Sequence, residues 1–239
     1  SPGVVINALG QAFFSMSLGM GILITYASYF PKDTKLAKTA VTVSMLDLLV
    51  AIMMGIVIFP AVASFGLDDS QLRGTTLVFV TLPEIFSQMP LTRLWSVLFF
   101  LLLFVAALTS TISIAEVSVA WIQDRFKKKR WAATLIVMLP LVVFSSLCSL
   151  SFGSLHDFTI CGMTIFDFLD NLATNIFLPV VAILVCIFMG WVVKKGFFKT
   201  EINNDGRLPA KYYPIVLFIV KYIAPPLILL ILLSTFIKF

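Results

Sequence analysis

Six long apolar segments constrain this 239-residue chain more than any other feature. A helix needs roughly 20 apolar residues to cross the hydrocarbon core of a bilayer. Hydrophobic residues make up 60% of the chain and charged residues 12%, whereas a soluble domain has about half apolar and about a quarter charged residues. We therefore expect an all-α, multi-pass protein of the cell (inner) membrane, surrounded by lipid. The predicted spans are residues 4–30, 38–63, 92–123, 131–149, 164–193 and 209–237.

The stretch between the second and third spans, residues 64–91, is too polar to cross the membrane. It combines GLDDSQLRGTT with the more apolar LVFVTLPEIFSQM, so we predict a structured outer loop with one or two short helices. Residues 1–239 then form a single transmembrane domain. The chain starts with SPGV and has no signal-like beginning, and we expect it to be the later part of a longer protein.

The basic residues are distributed unevenly between the loops. Most of the 17 lysine and arginine residues follow the first, third or fifth span, whereas the opposite side carries Arg73, Arg93 and Lys238. Because cytoplasmic loops carry an excess of lysine and arginine, the three basic loops are predicted to be cytoplasmic. This topology accounts for the DRFKKKR run at 124–130, so we expect no nucleic-acid partner.

The sequence lacks the patterns of a transition-metal site or of a nucleophilic enzyme. Cys148, Cys161 and Cys186 have no CxxC spacing, and His156 is the single histidine. Ser110 has no histidine or lysine within helical reach that could activate it. We expect isolated thiols, with a disulfide between Cys148 and Cys161 as the alternative, and no enzymatic activity.

The centre of the first span, FFSMSLGMG at 13–21, contains two serines and two glycines. Small residues four apart, at 15/19 and 17/21, are typical of close contacts between membrane helices, and the spacing alone favours that interpretation. The alternative is a broken helix. Its unwound backbone would present carbonyl and amide groups that hold a cation and a zwitterion near mid-bilayer.

Two acidic residues lie inside predicted spans. A carboxylate there is costly and usually faces a cavity or an ion. Asp47, about ten residues into the second span, is a candidate cation ligand; a structural hydrogen bond or a pair with Lys221 is the alternative. Glu116 is closer to the cytoplasmic end of its span, where a structural pairing is at least as well supported as a functional role.

The segment AALTSTISIAE, residues 106–116, places Ala106, Thr109, Ser110 and Ile114 along one helical face. The Ala106 carbonyl and the two hydroxyl groups form an oxygen-only set, which suits sodium better than a transition metal. The alternative is ordinary hydrogen bonding of Ser and Thr to the preceding helical turn.

Asp167 and Asp170 lie at the outer beginning of the fifth span. Thr164 and Asp167 fit a capping box, and acidic residues favour a helix N-terminus. Capping is the simpler interpretation for Asp167, and a gating role is the alternative for both aspartates.

Three of these segments resemble the neurotransmitter:sodium symporter family, whose bacterial members carry amino acids. GQAFFSMSLGMGILITYASY is similar to the sixth helix of that family, VTLPEIFSQ to its structured outer loop, and AALTSTISI to its eighth helix. The number and order of the spans match helices six to eleven.

The resemblance implies the leucine-transporter-like fold, which has two inverted five-helix repeats. This chain would contain the second inverted repeat, with a discontinuous first helix, plus one further helix. The N-terminal helices one to five of the same transporter would then be its partner, and alternating access would move one bundle of helices against a scaffold.

The resemblance also implies a substrate site. The carbonyl groups of Phe14 and Ser15 and the hydroxyl group of Ser17 would bind the ammonium group of an amino acid. The side-chain pocket would be lined by Phe14, Met20, Ser110 and Ile114.

Two sodium sites follow from the same resemblance. Ser15 and Asp47 would contribute to one of them, and Ala106, Thr109 and Ser110 to the other. Sodium ions are therefore the expected cofactors.

Two differences from the family bear on chloride and on substrate choice. Gln11 matches a position that contacts chloride in the animal transporters, but those proteins have asparagine where this chain has Asp47 and serine where it has Ala51. The charge of Asp47 would replace chloride, so we expect no chloride requirement. Met20 occupies a position that is often aromatic, and its flexible thioether suggests a large hydrophobic or aromatic substrate.

The function expected from the sequence is therefore sodium-coupled symport of an amino acid, as part of a longer transporter. The alternative is an ion channel, or a non-transporting accessory membrane subunit, built on the same scaffold.

Overall fold

The computed structural model describes residues 2–31, 33–65, 77–203 and 212–236. Helices dominate them, because a backbone in hydrocarbon must satisfy its hydrogen bonds internally. The helices are α1 (Pro2–Ser15), α2 (Ile22–Ser28), α3 (Leu36–Phe65), α4 (Leu82–Ser87), α5 (Thr92–Phe126), α6 (Arg130–Leu150), α7 (Ile165–Asn171), α8 (Leu178–Ile187), α9 (Lys195–Asn203), α10 (Tyr213–Phe218) and α11 (Ala224–Phe236). π-Helical segments occur at Leu77–Thr81, Leu172–Phe177, Phe188–Val192 and Ile219–Ile223.

Within the described ranges, five helical stretches are long and apolar enough to cross a membrane. They are Leu36–Pro60, Thr92–Phe126, Arg130–Leu150, Ile165–Val192 and Tyr213–Thr235. The first predicted span is instead divided into the shorter helices α1 and α2. This division confirms the discontinuous first helix.

The outer loop between α3 and α5 is described only in its second part, since residues 66–76 lie outside the described ranges. The π-helical segment Leu77–Thr81 continues directly into α4, which has a proline in its first turn. The ring of Phe86 in α4 packs edge-on against Phe99 of α5, with 5.4 Å between the ring centroids.

The chain divides into two compact units, residues 1–41 with 114–239, and residues 42–113. In the first unit, a buried cluster of Phe13, Ala182 and Ile228 joins α1, α8 and α11. A second buried cluster joins the end of α5 to α6 through Val119, Ile122 and Ala133. These two clusters position the segments described below.

A two-stranded hairpin precedes α7. β1 (Thr159–Ile160) pairs antiparallel with β2 (Met163–Thr164). The two turn residues, Cys161 and Gly162, have φ angles of +53° and +77°, as the tight turns of two-residue hairpins require. All three cysteines of the chain are free thiols, so the alternative of a disulfide between Cys148 and Cys161 is wrong.

Candidate functional site

The first helix is interrupted between Ser15 and Ile22. The N–H of Leu18 donates to the Phe13 carbonyl at 3.1 Å, and the N–H of Ser17 donates to the Phe14 carbonyl at 2.9 Å. Ser17 itself is left-handed, with a φ of +55°. This pair of hydrogen bonds around a left-handed residue is a Schellman motif, and its usual apolar contact is present because Leu18 packs against the Phe13 cluster. The motif ends α1 in mid-segment.

Gly19 brings the interrupted backbone against α8. Its φ is +83°, and a Cβ atom at this position would overlap the carbonyl oxygen of Leu178. Only glycine permits both the backbone angle and the approach. The helix is therefore broken at the FFSMSLGMG segment, and Gly19 also makes a close contact with the backbone of Leu178.

The predicted ammonium ligands lie at this break. The carbonyl oxygen of Phe14 accepts one hydrogen bond, from Ser17, and a carbonyl oxygen has a second lone pair for a further donor. The Ser15 hydroxyl group donates weakly to the Ala12 carbonyl at 3.4 Å. Because the C-terminal end of a helix carries partial negative charge, the end of α1 suits a cation. Met20 is half-buried within the same break.

A cavity of about 340 Å³ lies on one side of the break. It brings Gln11 and Phe14 of α1 together with Asp170 of α7 and with Thr174 and Asn175. The Asp170 carboxylate accepts a hydrogen bond from the Thr174 hydroxyl group at 3.1 Å. One cavity is thus lined by Asp170, which was predicted as a gate residue, and by Phe14, which was predicted to line the substrate pocket. It is also lined by Gln11, which matches the chloride-contact position of the animal transporters.

Asp167, the other predicted gate residue, lies in the first turn of α7 and is hydrogen-bonded to the N-cap residue of that helix, Thr164. Its N–H donates to the Thr164 hydroxyl oxygen at 3.2 Å, and that hydroxyl group donates to the Asp167 carboxylate at 2.7 Å. This geometry supports the capping interpretation of the Thr164–Asp167 pair.

The oxygen-only set predicted for sodium lies on α5, in the second unit. The Thr109 hydroxyl group donates to the Ala106 carbonyl at 2.9 Å, and Thr111 and Ser113 bond back in the same way. Back-bonding is therefore present, and it also fixes the Thr109 oxygen beside the Ala106 oxygen. The donating hydroxyl oxygen keeps lone pairs, so this hydrogen bond by itself does not occupy the acceptor capacity of Thr109.

The remaining predicted site residues are placed as follows. Asp47 is half-buried in the interior of α3, and Ser110 is exposed on α5; both belong to the second unit. Ile114, also on α5, belongs to the first unit and is half exposed. Within the described ranges, no cluster of three or more His, Cys, Asp or Glu residues could hold a metal ion.

Sequence reasoning missed a polar cluster around Glu116. Arg130 donates two hydrogen bonds to the Glu116 carboxylate, at 2.7 and 3.1 Å, and the Tyr29 hydroxyl group donates a third at 2.9 Å. This is the structural pairing that the sequence left open for Glu116. The basic run before α6 was a signal for an acidic partner, whereas nothing in the sequence pointed to Tyr29.

Comparisons with known proteins agree with this architecture. The model of the sodium:neurotransmitter symporter family matches residues 1–239. An uncharacterized sodium-dependent transporter of Bacillus subtilis, YhdH, is 32% identical over 238 residues, and one of Haemophilus influenzae is 34% identical over 235 residues. Each alignment covers 98% of this chain, but 51% and 50% of the relatives.

The crystal structure of MhsT in complex with L-phenylalanine is similar in fold, with a TM-score of 0.85 and 40% sequence identity. The match covers 98% of this chain and 52% of that chain. The chain thus spans about half the length of the proteins it matches. The family consists of transporters, which agrees with the expectation that the chain is not an enzyme.

The interrupted first helix, the apolar spans and a family match over the full length of the chain lead to one conclusion. This multi-pass membrane chain belongs to the sodium:neurotransmitter symporter family.

Proposed function

We propose that this chain forms the second half of a sodium-coupled amino-acid symporter and acts with an N-terminal half of the same transporter. The observation that carries the proposal is the break in the first helix between Ser15 and Ile22. Secondary transporters bind ions and charged solutes at interrupted helices, where main-chain dipoles supply the ligands. Because such backbone is tolerated at membrane depth only when it is buried or lines water, we expect no transport by this half alone.

The proposed substrate is a large hydrophobic or aromatic amino acid. MhsT, 40% identical to this chain, was crystallised with L-phenylalanine. Phe14 and Met20 would contact the substrate side chain together with Ser110 and Ile114. The backbone at Phe14 and Ser15 and the Ser17 hydroxyl group would receive its ammonium group, close to the partial negative charge at the end of α1.

Two sodium ions would complete the site. One would be bound by Ser15 and Asp47, and the other by the oxygen atoms of Ala106, Thr109 and Ser110. Hard oxygen ligands of this kind suit a small hard cation. Occupation of both sites would be coupled to substrate binding because the ions and the substrate share Ser15 and Ser110.

Chloride would not be required. Asp47 would place a fixed negative charge beside the sodium ion, which is the electrostatic role that the resemblance gives to chloride in the animal transporters. Half-burial of Asp47 within an apolar helix makes this charge costly unless a cation compensates it.

Asp170 is the proposed gate residue. Asp170 lines the same cavity as Phe14 and Gln11, which supports the proposal that its carboxylate would contact a group that closes that cavity. Asp167 is the second proposed gate residue, and its hydrogen bonds with the N-cap residue Thr164 would hold the helix that carries both aspartates.

The test is uptake of radiolabelled L-phenylalanine by the full-length transporter in proteoliposomes, with sodium replaced by potassium in a parallel sample. We expect sodium-dependent, saturable uptake.

Ser17→Ala should raise KM about tenfold, since a hydrogen bond to a charged group is worth about 1.5–3 kcal/mol. The matched control is Ser28→Ala, because among the described residues the Ser28 hydroxyl group bonds just to the Thr25 carbonyl of its own helix, at 2.6 Å. Conductance without substrate would instead favour an ion channel, and the absence of both binding and conductance would favour an accessory subunit.

A further inference from the structure

Lys221 is a cation inside the last apolar stretch, Tyr213–Thr235. It lies eight residues after Tyr213, or about 12 Å along the helix axis. A lysine within a span is costly unless its charge is compensated. The ion pairs in the described part of the chain are Glu116–Arg130 and Asp157–His156, and neither involves Lys221. The positive charge of Lys221 must therefore be compensated by something other than these ion pairs.

Two aromatic rings flank the Lys221 ammonium group. Nζ lies 5.4 Å from the ring centroid of Trp191 and 5.5 Å from that of Tyr222. The two rings meet edge to face, with their centroids 6.2 Å apart. Both distances from Nζ to a ring centroid are within the range of cation–π attraction. The rings are about half exposed, at 51% for Trp191 and 56% for Tyr222, so this aromatic cage opens on the surface of the chain.

The backbone holds the cage in place. Two π-helical segments, Phe188–Val192 and Ile219–Ile223, pack against each other. A Cβ atom at Gly190 would lie 3.3 Å from both Cα and Cγ of Lys221. The stem of Lys221 therefore lies tightly against the glycine that precedes Trp191, and this contact directs the ammonium group to the Trp191 ring. Local π-helical geometry is frequent at functional sites.

The surroundings of the cage place it close to the cytoplasmic face of the membrane. The loop after Trp191 carries Lys194, Lys195 and Lys199, and basic loops are cytoplasmic by the positive-inside rule. Phe198 of α9 packs against Tyr213 at 5.8 Å between ring centroids, which ties this loop to the beginning of α10. Tryptophan and tyrosine are enriched at the membrane interface, and a lysine at this depth extends its ammonium group toward the headgroups.

We propose that Lys221, Trp191 and Tyr222 bind the phosphate group of an anionic phospholipid in the cytoplasmic leaflet. The rings flank the ammonium group, and no hydrogen bond from it to another described residue occupies its N–H groups, which can donate to phosphate oxygens. The lipid supplies the negative charge that the described acidic residues do not, and the neighbouring basic loop adds attraction for an anionic surface. This site is separate from the proposed transport function and involves none of its residues.

The experiment uses the full-length transporter in nanodiscs that contain brominated phosphatidylglycerol or brominated phosphatidylcholine. Bromine quenches nearby tryptophan, and the Trp191 signal is obtained by subtracting the emission of a Trp191→Phe variant. We expect stronger quenching by phosphatidylglycerol, and Lys221→Gln should weaken this preference about fivefold, because one lysine near an anionic surface is worth about 1 kcal/mol. Lys35→Gln, which removes an exposed lysine from another basic loop, should leave the preference unchanged.

Several results would overturn the proposal. Equal quenching by the two lipids in the unmodified transporter would show that another group neutralises Lys221. An unchanged preference in Lys221→Gln would show that the lipid contacts Trp191 without the lysine. Loss of the preference in excess inorganic phosphate would identify a site for free anions instead of a lipid. Lys221→Met, which keeps most of the stem against Gly190, repeats the comparison if the glutamine variant does not fold.

Discussion

Arg130 binds both carboxylate oxygen atoms of Glu116, with Nη1–Oε1 and Nη2–Oε2 distances of 3.1 and 2.7 Å. The Glu116 side chain is only 13% exposed, whereas that of Arg130 is 65% exposed. The arginine at the beginning of α6 therefore compensates a largely buried charge on α5. With Tyr29 as a third partner, this carboxylate joins α5, α6 and the segment that follows α2.

Arg130→Met should lower the unfolding temperature of the transporter, because the largely buried Glu116 would lose two charge-assisted hydrogen bonds. Glu116→Gln should cost less, since a neutral amide oxygen still accepts from Tyr29 and needs no counter-ion. The measurement is thermal unfolding of the full-length protein in detergent.

Lys128→Met is the control for this comparison. Lys128 lies two residues before Arg130, is exposed, and forms none of the described ion pairs. A loss of stability in Lys128→Met equal to that in Arg130→Met would show that the general positive charge of this loop matters, and not the contact with Glu116.

The all-α membrane fold was predicted from local chemistry, whereas the broken first helix was only the alternative to a close helix contact until the resemblance to the family implied it. Length and apolarity determine whether a segment can cross a membrane, and the glycines of FFSMSLGMG permit the left-handed angles of a break. The contact of Tyr29 with Glu116 was not predictable in this way, since the two residues are 87 positions apart. Their meeting depends on how the helices pack, which no local pattern encodes.

Gly19→Ala should abolish correct folding or transport. The new methyl group would overlap the Leu178 carbonyl oxygen, and alanine disfavours the φ of +83°. Because the alanine methyl group has a fixed position and the Leu178 oxygen is a backbone atom, no side-chain rotation relieves the overlap. Expression with size-exclusion chromatography, followed by uptake of labelled amino acid, would measure the effect.

Gly196→Ala provides the matched comparison. Gly196 lies in α9, and a Cβ atom there would meet nothing within 4 Å. Alanine is favoured over glycine in a helix by about 1 kcal/mol, so this variant should be as stable as the parent protein or slightly more stable. A Gly19→Ala protein that behaves like Gly196→Ala would contradict the close approach to Leu178.

Thr164→Ala and Asp170→Asn should have opposite phenotypes. Thr164→Ala removes the cap of α7 and should lower stability by about 1 kcal/mol with little change in KM. Asp170→Asn removes a charge that borders the cavity beside Phe14 and should change uptake with little effect on unfolding temperature. Paired unfolding and uptake measurements would separate the two roles. Reduced uptake by Thr164→Ala at full stability would assign the gate to the Thr164–Asp167 pair instead.

Local sequence reaches only part of the candidate site, for a physical reason. Phe14, Ser15, Ser17 and Met20 lie close together in the sequence, so all four fall at or beside the single break of the first helix. Asp47 lies on another helix and in the other compact unit, and its proposed partnership with Ser15 rests on resemblance to the family. The function of Asp47 therefore needs the most direct test.

Asp47→Asn should abolish transport or make it respond to chloride. Two opposite unit charges about 4 Å apart attract by about 1 kcal/mol in water and by about 4 kcal/mol at an effective dielectric constant of about 20. Removing the negative charge should therefore weaken apparent sodium affinity about tenfold or more, and added chloride should restore part of it.

Uptake would be measured over a range of sodium concentrations, with chloride replaced by gluconate in a parallel series. Asp33→Asn, at an exposed acid outside the spans, should behave like the parent protein in both series. Full activity of Asp47→Asn without chloride would refute the proposal that this carboxylate replaces chloride, because an uncharged side chain would then support sodium binding equally well.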